Sequence, residues 1–116
     1  MIYASINSWR PQAEYIVAII PSWKFLSNHG AVLVLVATEP SITANEIGNR
    51  LGITERPVRR IISELVDEGY LYRIREGRRN RYTVNKNLPI PGPVTRDIAV
   101  GNLLRILRLV APTLTS

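Results

Sequence analysis

Residues 54–69 read TERPVRRIISELVDEG, and the rest of the 116-residue chain is organised around this stretch. Apolar residues recur in it at helical spacing, which predicts an amphipathic helix with one buried face. These residues are Val58, Ile61, Ile62, Leu65 and Val66. The opposite face carries Arg56, Arg59 and Arg60, together with Glu55 and Ser63. The predicted helix is therefore basic on the side that it does not bury.

Both ends of this helix carry capping signals. Thr54 is predicted to accept a hydrogen bond from the free N–H groups of the first turn, and Glu55 places a negative charge where the helix dipole favours it. Pro57 lies within the first turn, where its missing N–H costs little. Gly69 is expected to end the helix because glycine readily adopts positive φ. The stretch thus has a defined start and a defined end.

A second short helix is predicted just before it, at residues 44–51. Thr43 and Glu46 form a capping box, in which each side chain satisfies a free backbone N–H of the other residue. This helix ends at Gly52, which permits a sharp turn, and Ile53 is expected to fill the angle between the two helices. Two short helices joined by such a turn are the helix-turn-helix signature.

An earlier helix is apolar almost all round and is therefore expected to be buried. It is predicted to run from a cap at Ser27 or Asn28 to about residue 37. Residues 41 and 42 follow in an extended conformation, which leaves a place for a very short strand.

After Gly69 the period of the apolar residues changes from 3.6 to 2, which predicts an antiparallel hairpin. Its strands are expected at residues 70–75 and 80–84, joined by a tip at 76–79. The candidates to pack against the helices are Leu71, Ile74, Tyr82 and Val84. The arginines of the hairpin are left pointing outward or toward the tip.

The two ends of the chain are predicted separately. Residues 1–21 are an N-terminal extension or a short helix, and 88–93, LPIPGP, are a stiff proline-rich linker. A last amphipathic helix is expected to begin near Thr95, and its apolar arc is too wide for one contact with a small domain. Either the N-terminal segment or a second copy of the chain covers it, and we favour a homodimer. Its candidate interface residues are Ile98, Leu103, Leu104, Leu107 and Val110.

The charge of the chain points to a polyanionic partner. Its formal net charge is +6 and its pI is about 10.3. Residues 70–82 alone contain five arginines and one glutamate, next to the basic face of the helix at 54–69. Such clustering indicates a nucleic-acid binder, although a solvated basic hairpin is the alternative.

Composition argues against several other classes. With no cysteine and one histidine, the chain cannot form a disulfide, a thiolate zinc site or a Cys/His nucleophile system. Glycine-rich phosphate loops are absent, so we predict no enzyme, no metal and no cofactor. The longest apolar runs, 15–20 and 31–37, are shorter than the roughly 18–20 residues that span a membrane. No basic leader precedes them, and we expect a cytoplasmic protein.

This order of helix, short strand, helix, turn, helix and hairpin resembles the winged helix-turn-helix transcriptional regulators, broadly of the MarR and ArsR type. The similarity covers residues 23–93 and is carried by FLSNH (25–29), EIG (46–48), GITER (52–56), LVDEGYL (65–71) and EGRRNRY (76–82). GNLL (101–104) is similar to the same uncharacterised bacterial and archaeal group. The resemblance implies an α+β, mostly α fold: a three-helix core, a two- or three-stranded wing and an additional C-terminal helix. We therefore predict a DNA-binding domain at 22–87 and, from its wide apolar arc, a dimerising C-terminal helix at 94–116.

The same resemblance implies sequence-specific binding of duplex DNA as a dimer. The helix at 54–69 is expected to lie in the major groove and the wing, 71–84, over the adjacent minor groove or backbone. The residues expected to contact DNA are Thr43, Asn45, Thr54, Glu55, Arg56, Arg59, Arg60, Ser63, Arg75, Arg78, Arg79, Asn80 and Arg81. A winged-helix module that binds protein or RNA is the competing hypothesis.

Overall fold

The structure is a computed structural model that describes residues 21–110, with side chains described as far as residue 107. The predicted short helix near the N-terminus lies outside these residues. The elements follow one another as α1 (Asn28–Thr38), α2 (Ala44–Leu51), α3 (Glu55–Asp67), β1 (Leu71–Glu76), β2 (Arg79–Val84) and α4 (Val100–Val110). Three helices, a two-stranded antiparallel wing and a C-terminal helix confirm the predicted fold class.

One hydrophobic core joins the elements. Its buried side chains come from α1 (Val32, Leu33, Val36), the 41–42 segment (Ile42), α2 (Ile47), α3 (Val58, Ile61, Ile62, Leu65), the hairpin (Leu71, Tyr82, Val84) and α4 (Val100, Leu104). Each aliphatic side chain that is fully buried stabilises the fold by roughly 1.5–3 kcal/mol relative to exposure. The face of α3 predicted to be buried is the one that this core covers.

The start of α2 and the turn after it are as predicted. The backbone N–H of Thr43 donates to Oε1 of Glu46 at 2.8 Å, and the N–H of Glu46 donates to Oγ1 of Thr43 at 3.2 Å. Gly52 ends the helix in the left-handed region with φ 73°, and Ile53 packs half-buried against the core. Ser27 likewise caps α1, since its hydroxyl accepts from the N–H of Gly30 at 3.2 Å.

The two ends of α3 differ from each other. Thr54 occupies the N-cap with an extended backbone, but its side chain makes no capping hydrogen bond, so that prediction is wrong. Pro57 stands at the third helical position, so one of the two N–H groups that usually donate to an N-cap hydroxyl is absent. At the other end Gly69 has φ 85°, its N–H donates to the carbonyl of Val66, and the next N–H, of Tyr70, reaches Leu65. This Schellman arrangement ends the helix as the sequence predicts.

The wing has two strands rather than three in the described part of the chain. Residues 39–42 form a turn in which the N–H of Ile42 donates to the carbonyl of Glu39, and Pro40 has no N–H to offer a neighbouring strand. A single bond, from the N–H of Tyr82 to the carbonyl of Pro40 at 2.9 Å, stands where a third strand would pair. Gly77, with φ 61°, is the first of two residues in the turn at the tip.

Ile74 does not pack against the helices, which corrects the sequence prediction. The register pairs Leu71 with Val84 and Ile74 with Arg81. Because side chains alternate along a strand, Leu71 points to the core and Ile74 points to the outer face, where it is 58% exposed.

The segment before α4 folds back instead of forming an extended linker. Pro89 pairs with Ala99 in an isolated bridge, and the N–H of Ile90 donates to the carbonyl of Ile98 at 2.8 Å. Residues 93–97 are the turn of this loop, so α4 begins at Val100 and not near residue 95.

The helix α4 docks on the winged domain. Val100 and Leu104 are buried in the common core, and the N–H of Gly101 donates to the carbonyl of Lys86 at 3.0 Å. Leu104 is therefore buried within its own chain and is not free to line an interface. The prediction that Leu104 is an interface residue is corrected accordingly. The described helices are all too short or too polar to cross a membrane.

Candidate nucleic-acid interface

A groove separates α3 from the wing. The helix lines one wall with Arg59, Ile62 and Ser63, and the start of α2 closes one end with Ile42, Thr43 and Ala44. The wing lines the other wall with Arg73, Arg75, Arg78, Arg79, Asn80 and Tyr82. Five guanidinium groups from two separate elements thus face a single concavity.

The outward face of α3 adjoins this groove. Ser63 lies three residues from Arg60 and four from Arg59, so these side chains are neighbours on the helix surface. Arg56 and Arg60 are exposed on the side opposite the buried residues Val58 and Leu65. The positions predicted to contact DNA on α3 are therefore open to solvent.

The ion pairs of α3 separate its arginines into two kinds. Arg59 is paired with Glu55 one turn earlier. Glu64 stands four residues after Arg60, but its Oε1 lies 2.7 Å from Nε2 of His29 on α1. Within the described residues, Arg56 and Arg60 make no side-chain hydrogen bond or ion pair.

Alternation along the strands separates Arg73, Arg75 and Asn80 from Arg81, whereas Arg79 at the tip reaches the groove by donating to the carbonyl of Ser41. Arg73, Arg75 and Asn80 share a face with the core residue Tyr82 and line the groove. Arg81 pairs with Ile74 on the outer face and does not line it. Arg81, predicted as a site residue, is thus not brought together with the others.

Arg73 is the groove residue that the sequence prediction missed. It stands two residues after the buried Leu71 and two before Arg75, so the period of 2 places all three on one face. That signal was present in the sequence. It was obscured because Ile74, next to Arg73, was assigned to the inner face.

The tip of the wing holds two arginines in different environments. Arg79 donates from Nη1 to the carbonyl of Ser41 at 2.9 Å and lies 3.5 Å from Oε1 of Glu46. Arg78 makes no hydrogen bond or ion pair with the residues that the structure describes. Behind the tip, Nε of Arg75 donates to the carbonyl of Gly77 at 3.0 Å.

The remaining predicted residues lie at the starts of α2 and α3. The hydroxyl of Thr43 serves the capping box and donates to Oε1 of Glu46 at 3.0 Å. Two hydrogen bonds from Thr43, with smaller contributions from Arg79 and Arg50, hold the pKa of Glu46 below its usual value. Asn45 is exposed and accepts from the amide of Asn49 at 3.4 Å, and Thr54 is exposed at its N-cap.

The site is suited to binding an extended polyanion. Within the described residues, no three His, Asp or Glu side chains come together to hold a metal ion. The basic walls instead present guanidinium groups, which bind phosphate oxygens in bidentate fashion.

Comparison with known proteins agrees with this geometry. Residues 27–72 match a family described as winged helix-turn-helix DNA-binding. The matched segment contains α1, α2, the turn, α3 and the first two residues of β1. The fold over these residues is therefore that of a winged helix-turn-helix DNA-binding domain, as the sequence predicts.

Three solved structures of regulators are similar to the chain. MepR, a transcription regulator of the Staphylococcus aureus multidrug efflux pump MepA, is 17% identical with a TM-score of 0.47, over 87% of this chain and 67% of that one. PcaV from Streptomyces coelicolor, solved in complex with its natural ligand, is 19% identical with a TM-score of 0.48, over 84% and 68%. The zinc-dependent MarR family regulator AdcR, in its Zn(II)-bound state, is 19% identical with a TM-score of 0.41, over 73% and 66%. None of the curated proteins matches the chain.

Proposed function

We propose that this protein is a transcriptional regulator that binds duplex DNA with α3 in the major groove and the wing over the adjacent minor groove. One observation carries the proposal: five arginines of α3 and the wing line a single groove beside the exposed face of α3. A duplex presents one negative charge about every 1.7 Å along its axis. The clustered positive charges of the groove therefore attract it over long range.

Base recognition is assigned to the outward face of α3. The major groove is about 12 Å wide and admits an α-helix. Arg56 and Arg60 point away from the core and are exposed, and an arginine there can pair bidentately with a guanine edge. Ser63, next to them, is assigned a phosphate or base-edge contact. Arg59, which lines the groove and is paired with Glu55, is assigned to the phosphate backbone.

Positioning on the backbone is assigned to the wing and the start of α2. Arg73 and Arg75 line the groove, and Arg78 at the tip is the candidate for insertion into a narrow minor groove, where negative potential is concentrated. Asn80 faces the same groove, and Thr43 and Asn45 lie near the free N–H groups at the start of α2. Arg81, on the outer face of the wing, is not assigned a contact.

We further propose a homodimer in the cytoplasm, formed through the exposed apolar side of α4. Ile106 is 57% exposed and Ile98 is 42% exposed, while Leu103 and Leu107 are half-buried. Val110, also a candidate, lies where side chains are not described. A two-fold dimer presents two copies of α3 and therefore reads two inverted half-sites.

Selection of bound fragments from a random duplex pool, followed by sequencing, tests the proposal. We expect enrichment of two inverted half-sites whose centres are roughly 10 base pairs apart, one helical turn. A pool that stays random after several rounds at low salt would contradict sequence-specific binding. Enrichment of single, unpaired half-sites would contradict the proposed dimer but not sequence-specific binding.

A further inference from the structure

Arg79 connects the tip of the wing to the segment in front of α2. Its Nη1 donates to the carbonyl of Ser41 at 2.9 Å, across 38 residues of sequence, and lies 3.5 Å from Oε1 of Glu46. Its side chain is about half-exposed, at 53%. The guanidinium therefore bridges two elements and does not extend freely from the tip.

Glu46 is a fixed partner for this contact. Its Oε1 accepts from the backbone N–H of Thr43 at 2.8 Å and from the hydroxyl of Thr43 at 3.0 Å. These bonds hold the pKa of Glu46 below its usual value, so the carboxylate is charged at neutral pH. The negative charge facing Arg79 is thus held in one place by the capping box of α2.

The tip of the wing has few other contacts with the helices. The base of the hairpin is anchored by the buried residues Leu71 and Val84, and Tyr82 is buried beside them. Residues 73–79 and 81 are exposed, and Asn80 is half-buried. A two-stranded hairpin is marginally stable by itself in water, so a contact near its tip has a large effect on its position.

We propose that Arg79 is a positioning residue that holds the wing tip against the start of α2 through the Ser41 carbonyl and the Glu46 carboxylate. The contact sets the distance between Arg78 and α3 before DNA arrives, so less conformational entropy is lost on binding. This inference rests on the proposed function for its effect on DNA affinity. The contact itself exists in the free protein and is measured there.

Two conservative substitutions isolate the contact. Arg79→Lys keeps the positive charge that a phosphate would need, but a single ammonium lacks the planar fork of an arginine. Glu46→Gln keeps a capping-box side chain while removing the charge that faces Arg79. Arg81→Lys, on the outer face of the wing, is the matched control. Far-UV circular dichroism and thermal unfolding establish that each variant is folded.

Amide hydrogen exchange of the free protein is the first readout. In Arg79→Lys and Glu46→Gln we expect the amides of residues 76–81 to exchange at least about fivefold faster than in the wild type, because local opening becomes easier. Arg81→Lys should leave these rates unchanged. Unchanged rates in both test variants would overturn the proposal, whatever the protein does with DNA.

Duplex affinity is the second readout, and the direction in which Glu46→Gln changes it distinguishes two roles of Glu46. Removal of a negative charge beside a DNA site strengthens binding if the charge has no other role. If Glu46 positions Arg79, Glu46→Gln instead weakens binding, by roughly three- to tenfold, and adds nothing further in the Arg79→Lys background. Equal or tighter binding by Glu46→Gln would overturn the positioning role. Absence of duplex binding by the wild type would overturn the proposed function, while the exchange rates would still decide whether the contact orders the tip.

Discussion

The carbonyl oxygen of Ile53 occupies the space beside Gly48 so closely that a Cβ added to Gly48 would lie 2.6 Å from it. The carbonyl of Gly48 also accepts the N–H of Ile53 at 3.0 Å. The turn between α2 and α3 is therefore packed directly on the backbone of α2. The direction in which α3 leaves the turn, and with it the placement of the basic face, depends on this contact.

Substitution of Gly48 by alanine tests that contact. Because a backbone oxygen and not a flexible side chain meets the new Cβ, we expect a loss of roughly 1–3 kcal/mol of unfolding free energy in urea titrations. Gly30→Ala is the matched control, since its Cβ would meet the Leu26 side chain at an ordinary 3.6 Å. That variant should be neutral or more stable by up to about 1 kcal/mol. Equal stability of the two variants would show that the turn can relax.

The elements whose signals are local could be predicted from the sequence. Thr43, Glu46 and Gly52 specify the start and end of α2 with side chains that act within a few residues, and the structure contains these caps. The same is true of Gly69 at the end of α3. Each of these signals depends on backbone hydrogen bonds that a short peptide segment makes with itself.

The parts that were predicted wrongly depend on contacts between distant residues or on two local signals in conflict. Pro57 lacks the N–H that would be one of the two usual donors to Thr54, although each residue alone is a good helix-start residue. Ile74 was placed inward because it is apolar, whereas the register with Arg81 decides its side of the wing. Thr95 lies in a turn because the pairing of Pro89 with Ala99 brings the chain back on itself. The sequence does not contain this pairing in any local pattern.

The same distinction applies to the candidate site. The arginines could be identified from composition, but their grouping follows from strand register and from the packing of the wing on α1 and α3. Arg73 joins the groove and Arg81 leaves it for this reason.

Substitutions of Leu104 and Ile106, both on α4, are expected to have different effects: the first on folding and the second on dimerisation. Leu104 is buried at 6% exposure in the core of its own chain, so Leu104→Ala should lower the free energy of unfolding by roughly 2–5 kcal/mol. Ile106 is 57% exposed, and Ile106→Glu should leave a folded chain that sediments as a monomer. Sedimentation equilibrium of both variants beside the wild type makes the comparison. A wild-type protein that is already monomeric would rule out the proposed dimer.

Arg56 and Arg60 are expected to decide which sequence is preferred. An arginine that is bidentate on a guanine edge provides a discrimination of roughly tenfold or more against the wrong base. Replacement of either by alanine should therefore reduce the ratio of affinities between the selected duplex and a scrambled one of the same length. Competition binding measures this ratio directly. If both affinities fall by the same factor, Arg56 and Arg60 contact phosphates and not bases.

The carboxylate of Glu46 gives the fold a dependence on pH in acid. Its pKa is lowered in the folded state, so it contributes stability above its unfolded value of about 4.5, and this contribution is lost as the pH falls through the folded value. The stability advantage of the wild type over Glu46→Gln should accordingly shrink as the pH is lowered from neutral through 4.5 and further into acid. Chemical denaturation of both proteins across this range provides the measurement. A constant difference would mean that the charge of Glu46 does not stabilise the start of α2.

The salt dependence of duplex affinity tests most directly whether the arginines of α3 and the wing together bind DNA. If roughly six to ten phosphates are neutralised per dimer, the logarithm of the binding constant should fall with the logarithm of salt concentration with a slope of about −5 to −9. Arg73→Ala, which removes one groove-facing charge from each protomer, should make that slope shallower by about 2, whereas Arg81→Ala on the outer face should leave it unchanged. A binding constant that stays flat between low and moderate salt, or equal effects of the two variants, would contradict the assignment of this groove to DNA.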